Sequence, residues 1–104
     1  MHRGEVWWAN LSGPAGRRPV LLLSRESVYS TRSSATVAAF TSTIRGIPVE
    51  VPLGPEDGMP AKCVVNLDEI TTVLKSRLTD QITVLSAEKM TEVNKAIIFA
   101  LDLR

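Results

Sequence analysis

The sequence predicts a mainly β fold: a small, mostly antiparallel barrel of five to seven short strands, with one helix near residues 86–101 packed on it. Three observations carry this. Short apolar runs alternate with Gly-, Pro- and Ser-rich turn clusters along residues 5–85. Helical spacing of apolar residues is clear only at the C-terminal end. Strands followed by a helix, rather than alternating with helices, disfavour a doubly wound α/β sheet.

The elements follow in order. Glu5-Val6-Trp7-Trp8-Ala9-Asn10-Leu11 is aromatic and β-leaning, and it stops at Ser12-Gly13-Pro14-Ala15-Gly16. Pro19–Ser24 is an aliphatic run suited to a strand buried on both faces, with proline tolerated at its first position. Residues 25–34, rich in serine and arginine, read as a loop. Ala35–Ile44 is a strand, and Arg45-Gly46-Ile47-Pro48 turns the chain. Val49, Val51 and Leu53 alternate with Glu50 and Pro52, and the prolines place that strand at an edge. Gly54–Pro60 is a second loop. Lys62–Lys75 is a long strand with a break at Glu69, and Gln81–Leu85 a last short one. Met90, Val93, Ile97, Ile98 and Leu101 then form an apolar helical stripe. Ser86 is placed to cap that helix, but Lys89 stands where a capping box needs glutamate.

The 104 residues amount to a single domain, 1–104, with an ordinary apolar fraction of 44%. Net charge is +1, but it is unevenly spread. Residues 1–48 carry six arginines against Glu5 and Glu26, an excess of +4; residues 49–104 carry six cations against nine acids, a balance of −3. Arginine's planar fork suits bidentate contacts to phosphate or carboxylate. Cys63 is the only cysteine, so no intrachain disulfide can form, which fits a reducing compartment. His2 is the only histidine, so a zinc site and a histidine-based nucleophilic triad are both excluded. The apolar runs are too short for a signal peptide or a membrane span, which places the protein in the cytoplasm, away from membranes.

Three stretches set polar side chains where a strand meets a loop: Arg17-Arg18-Pro19, Thr41-Ser42-Thr43 and Asn66-Leu67-Asp68-Glu69. In extended chain Asn66 and Asp68 share one face, and with Val65 and Leu67 inward they point away from the core. An arginine, a hydroxyl and a carboxylate converging on one groove suit a phosphodiester. Taken singly, each is more often a packing threonine, a capping aspartate or a solvated arginine. The Trp7-Trp8 pair puts one indole on each face of a strand. One belongs to the core, and the other is free to stack on a base or fill an interface.

In order along the chain, Arg3-Gly4-Glu5-Val6-Trp7, Arg18-Pro19-Val20-Leu21, Ala39-Phe40-Thr41-Ser42, Cys63 through Ile70, and Arg77-Leu78-Thr79-Asp80 resemble the MazF/PemK-type toxins of bacterial toxin–antitoxin pairs. The resemblance spans nearly the whole chain. It implies an SH3-like or PemK-type barrel and a homodimer that cleaves single-stranded RNA at a short sequence without metal or other cofactor. Its partner would be a cognate antitoxin with an acidic tail. By similarity Arg18 and Thr41 take the catalytic positions, and Asp68 falls where several members keep an aspartate near substrate. Arg17, Ser42, Asn66, Trp8 and Arg45 are the further candidates for substrate contact. The mechanism this implies is in-line attack by the RNA 2′-hydroxyl, leaving a 2′,3′-cyclic phosphate and a 5′-hydroxyl. Two other readings use the same barrel: a non-enzymatic gyrase poison resembling CcdB, and a barrel that binds RNA without cutting it.

Overall fold

Strands form where the aliphatic and β-branched runs lie. The computed structural model describes residues 1–104, apart from the side chain of Ala15. It contains β1 (Glu5–Asn10), β2 (Arg17–Leu22), β3 (Ser34–Thr41), β4 (Glu50–Leu53), β5 (Cys63–Leu74) and β6 (Leu78–Val84). All neighbours pair antiparallel, in the order β4-β5-β3-β2-β1-β6, and the sheet curls into a half-barrel. A single helical turn, α1 (Val28–Thr31), lies within the stretch expected to be loop, and α2 (Ala87–Ala100) ends the fold. No helix is long and apolar enough to cross a membrane.

Two apolar cores lie on opposite faces of the sheet, and β2 feeds both. Leu21 packs with Val6, Phe40, Val65 and Leu67 on one side; Val20 and Leu22 pack with Ala9, Val37 and Leu78 on the other. A strand covered on both faces has no reason to alternate polar and apolar residues, which explains the unbroken Val-Leu-Leu. β4 is an edge strand, as its prolines require, because Pro52 has no N–H to give a further neighbour.

β5 departs from regular pairing where the sequence shows its break. Ala38 pairs with Ile70 and Phe40 with Val65, so Asn66-Leu67-Asp68-Glu69 all face the single residue Ala39. In this wide bulge the expected alternation fails. Asn66 is only 5% exposed, and its side-chain oxygen accepts a bond from the Asp68 amide at 2.9 Å. The bulge frees that amide from the ladder, and a buried N–H needs an acceptor, so the Asn66 side chain turns back to supply one. The outward projection expected for Asn66 is therefore corrected.

Helix α2 starts as its sequence indicates, with Ser86 accepting from the Lys89 amide at 3.1 Å. Lys89 then reaches the Pro52 carbonyl with its Nζ, 3.1 Å away, tying the first turn to β4. Val93 and Ala96 are buried, with Met90 and Ile97 partly so. The C-terminal end of the stripe differs from the expected pattern: Ile98, Phe99, Leu101 and Leu103 are exposed, Phe99 by 62%. Only β4 and β5 pack extensively against the helix, so its far turn outruns the sheet that could cover it.

The loop before β5 depends on one glycine. Gly58 has φ +88°, and a β-carbon there would overlap the Thr83 side chain, whose hydroxyl donates to the Asp57 carbonyl at 3.2 Å. Gly58→Ala is expected to cost about 1–3 kcal/mol through left-handed strain and displacement of Thr83. Urea denaturation checks this, and an unchanged midpoint would refute it.

Candidate active site

The start of β2, the end of β3 and the loop entering β5 meet around a groove of about 280 Å³. β2 brings Arg17, Arg18 and Pro19; β1 brings Trp8; β3 and its exit bring Phe40, Thr41 and Ser42. Met59 through Cys63 close the opposite wall. The β2–β3 register sets Val20 opposite Ala39, and two residues further it brings Arg18 opposite Thr41. Directly opposed residues have β-carbons about 4.5–5.5 Å apart, within reach of one bound group.

The two adjacent arginines have different surroundings. Arg17 lies over the Trp8 ring, 4.4 Å from its centroid, and bonds the Asp80 carboxylate at 3.2 Å. Arg18 is half-buried at its base by β2, and its guanidinium bonds no side chain or carbonyl among the described residues. Five donors in a fixed fork thus remain for an anion. Thr41 Oγ1 accepts from the Thr43 amide at 3.1 Å. With that acceptor position filled by backbone, the hydroxyl proton remains available as a donor.

The groove therefore collects Arg17, Arg18 and Lys62 as cations and Thr41 and Ser42 as hydroxyls, and no carboxylate or imidazole lines it. It can bind an anion and stabilise charge that grows on it. Among the described residues, no three His, Cys, Asp or Glu side chains gather in a way that could hold a metal ion.

Of the residues singled out in the sequence, Trp8, Arg17, Arg18, Thr41 and Ser42 come together here, and Asn66, Asp68 and Arg45 do not. Asn66 and Asp68 are held in the β5 bulge. The Arg45 and Gly46 amides donate to the Glu50 carboxylate at 3.0 and 2.8 Å, which closes their turn apart from the groove.

The family model for the PemK-like, MazF-like toxin of type II toxin–antitoxin systems matches residues 2–101. The chain belongs to this family. It is 39% identical over 101 residues to the Mycobacterium tuberculosis protein named "Probable endoribonuclease MazF5", covering 96% of this chain and 92% of that one. The solved structure of Mycobacterium tuberculosis toxin MazF-mt6 superposes with a TM-score of 0.88 at 35% identity, over 96% of this chain and 98% of that one. A mycobacterial endoribonuclease in complex with its cognate antitoxin superposes with a TM-score of 0.89 at 30% identity, covering 100% and 97%. The MazF-like fold expected from the sequence is the fold observed.

Two residues of this MazF-like groove escaped the sequence reading. Lys62 stands just outside a strand in a loop without any local pattern. Only the pairing of Thr41 with Val64 shows that it must flank Thr41. Cys63 reads as a small buried hydrophobe, and at 8% exposure it is one, yet it also lines the groove. Burial, reinforced by Asp57, pushes its thiol above the ordinary range, so it is a thiol and no nucleophile near neutral pH.

Tyr29 is pushed the same way by burial, then by Glu26. The folded protein thus keeps both protons to higher pH than the unfolded chain does. Their contribution to stability is complete below the ordinary thiol pKa of about 8.5 and declines as pH rises through the folded values. Urea midpoints are expected to fall between neutral pH and pH 10, and less steeply in Cys63→Ala. A flat profile would refute this.

Proposed function

We propose that the protein is an endoribonuclease toxin that cleaves single-stranded RNA without a metal ion. The observation that carries this reading is the opposition of Arg18 and Thr41 across β2 and β3, in a groove rich in donors and lacking carboxylates. Family membership and the relatives named as endoribonucleases support cleavage over the gyrase-poison and binding-only readings. RNA carries its own nucleophile. The 2′-oxygen attacks the adjacent phosphorus and gives up its proton, and the bond to the 5′-oxygen breaks. That oxygen gains a proton, leaving a 2′,3′-cyclic phosphate and a 5′-hydroxyl. Arg18 stays protonated throughout and holds the non-bridging oxygens, while Thr41 donates to the same centre. Asp68 stands outside the groove, so no base role is assigned to it.

The partners follow from the same surfaces. A cognate antitoxin with an acidic tail fits the cationic groove, and the complex of a mycobacterial relative with its antitoxin supports such a partner. The exposed Ile98, Phe99, Leu101 and Leu103 supply apolar area for a homodimer. Binding the antitoxin would hold cleavage in check; free toxin would cut cellular RNA and arrest growth.

The test is incubation of defined single-stranded RNAs with the protein in excess EDTA, followed by analysis of the new ends. Cyclic-phosphate and 5′-hydroxyl ends at a short recurrent sequence are expected. RNA left intact at enzyme excess would overturn the activity, and cleavage abolished by the chelator would overturn the metal-free mechanism.

A further inference from the structure

We infer that the pocket under the β2–β3 connection is a second phosphate subsite, which holds the RNA strand outside the cleavage groove. The inference rests on the RNA-cleaving reading. This pocket encloses about 400 Å³ between the end of β2, α1, the start of β3 and Thr72 of β5. Arg25 and Arg32 line it from either side of α1. Neither guanidinium has a hydrogen-bond or ion-pair partner among the described residues. Glu26, the neighbouring carboxylate, is engaged elsewhere: it accepts from the Arg3 amide at 2.8 Å and bonds His2 Nδ1 at 2.7 Å. Those two contacts, the Arg3 amide first, hold its pKa below the usual carboxylate value.

Ser24 adds a second, independent sign. It is only 8% exposed and lines the same pocket. Its Oγ accepts from the Thr36 amide at 2.8 Å, while its own O–H has no acceptor among the described residues. A buried hydroxyl donor and two unpaired guanidiniums, with no carboxylate in the lining, define a site for a group that only accepts hydrogen bonds and carries negative charge. Phosphate is that group, and arginine is the side chain that reads it by fork geometry.

The frame is fixed before any ligand arrives. Tyr29 donates its hydroxyl to the Ser24 carbonyl at 3.1 Å, Lys75 Nζ donates to the Tyr29 carbonyl at 2.7 Å, and the Arg32 amide closes on the Val28 carbonyl at 2.9 Å. A preorganised cationic site loses little entropy on binding.

Its position points to RNA rather than a free anion. β3 runs from this pocket, at Ser34 to Thr36, to the cleavage groove, at Thr41. Five to seven strand residues separate the sites by about 17–23 Å. A strand crossing that span stays within the roughly 4–16 nucleotides that a small barrel covers.

The experiment measures binding by fluorescence anisotropy across a salt series. It uses RNAs that carry a 2′-deoxy nucleotide at the cleavage position, one of about 4 nucleotides and one of about 12. For the Arg25→Ala/Arg32→Ala double variant, affinity for the longer RNA is expected to fall roughly tenfold. The slope of log K against log salt should drop by about 1.4, or 0.7 for each phosphate lost. Affinity for the short RNA and its cleavage should be unchanged, and Arg25→Lys/Arg32→Lys should recover much of the salt slope. Both arginines are exposed, and circular dichroism confirms that the variants fold. Equal affinity of wild type and double variant for the longer RNA would overturn the subsite while leaving the cleavage reading intact. So would binding of inorganic phosphate by Arg25 and Arg32 with no dependence on RNA length, since that would assign the pocket to a free anion. Failure of the wild-type protein to bind or cut even the short RNA would instead overturn the cleavage reading, and the subsite with it.

Discussion

Arg18→Ala is expected to lower the rate of RNA cleavage by at least about 10²–10³, the usual loss when one preorganised donor to a developing oxyanion is removed. The fold should survive, because the Arg18 guanidinium bonds nothing else among the described residues and the β2 backbone is held by pairing with β1. The loss should fall on turnover more than on KM, since the contact strengthens as negative charge builds on phosphorus. Arg18→Lys keeps the charge but not the fork and should recover only part of the rate. Thr41→Ala should lose a comparable factor, and Thr41→Ser, which keeps the donor, should retain most activity. Arg17 makes a useful contrast. It is already stacked on Trp8 and paired with Asp80, so Arg17→Ala should weaken binding without a comparable loss in turnover. Single-turnover cleavage of one defined RNA checks the series. Full activity in both Arg18→Ala and Thr41→Ala would dismiss this site.

Phe40→Ala is expected to destabilise the protein by about 3–5 kcal/mol, the cost of removing a buried aromatic ring and leaving its cavity. Phe40 is 2% exposed and packs in the larger core, yet it also lines the groove and precedes Thr41 in β3. A domain of this size has a total stability of about 5–15 kcal/mol, so the variant should be marginal at 37 °C. Its activity should fall even where it remains folded, because Thr41 loses the packed residue that fixes its position. Phe40→Leu, which keeps most of the volume, should cost far less and preserve cleavage. Urea denaturation gives the stability, and cleavage at a temperature where both variants are folded separates the two effects. A loss below about 1 kcal/mol in Phe40→Ala would show that the ring does not anchor the end of β3.

Much of this architecture is legible in local chemistry. The Val-Leu-Leu run of β2, the prolines of β4 and the Ser86 cap each follow from a rule that acts within a few residues, and each appears as expected. The chemistry of the groove is legible as well, since arginine beside a buried strand and threonine at a strand end are positions in sequence before they are positions in space. α1 is too short to announce itself through apolar periodicity, so the stretch around it reads as loop.

By itself, then, the sequence determined the strand and helix pattern, the family and the Arg18/Thr41 pair. The tertiary structure decided which polar residues share a site. Strand register set Arg18 opposite Thr41 and brought Lys62 to the same groove, while the β5 bulge withdrew Asn66 and Asp68 from it. It also separated Arg17 from Arg18, giving one a carboxylate and an indole and leaving the other unpaired. The reason is physical: propensity and periodicity act over a few residues of chain, whereas convergence depends on pairing between strands far apart in sequence. A bulge of a few residues redirects every side chain within it, and no local rule states which way.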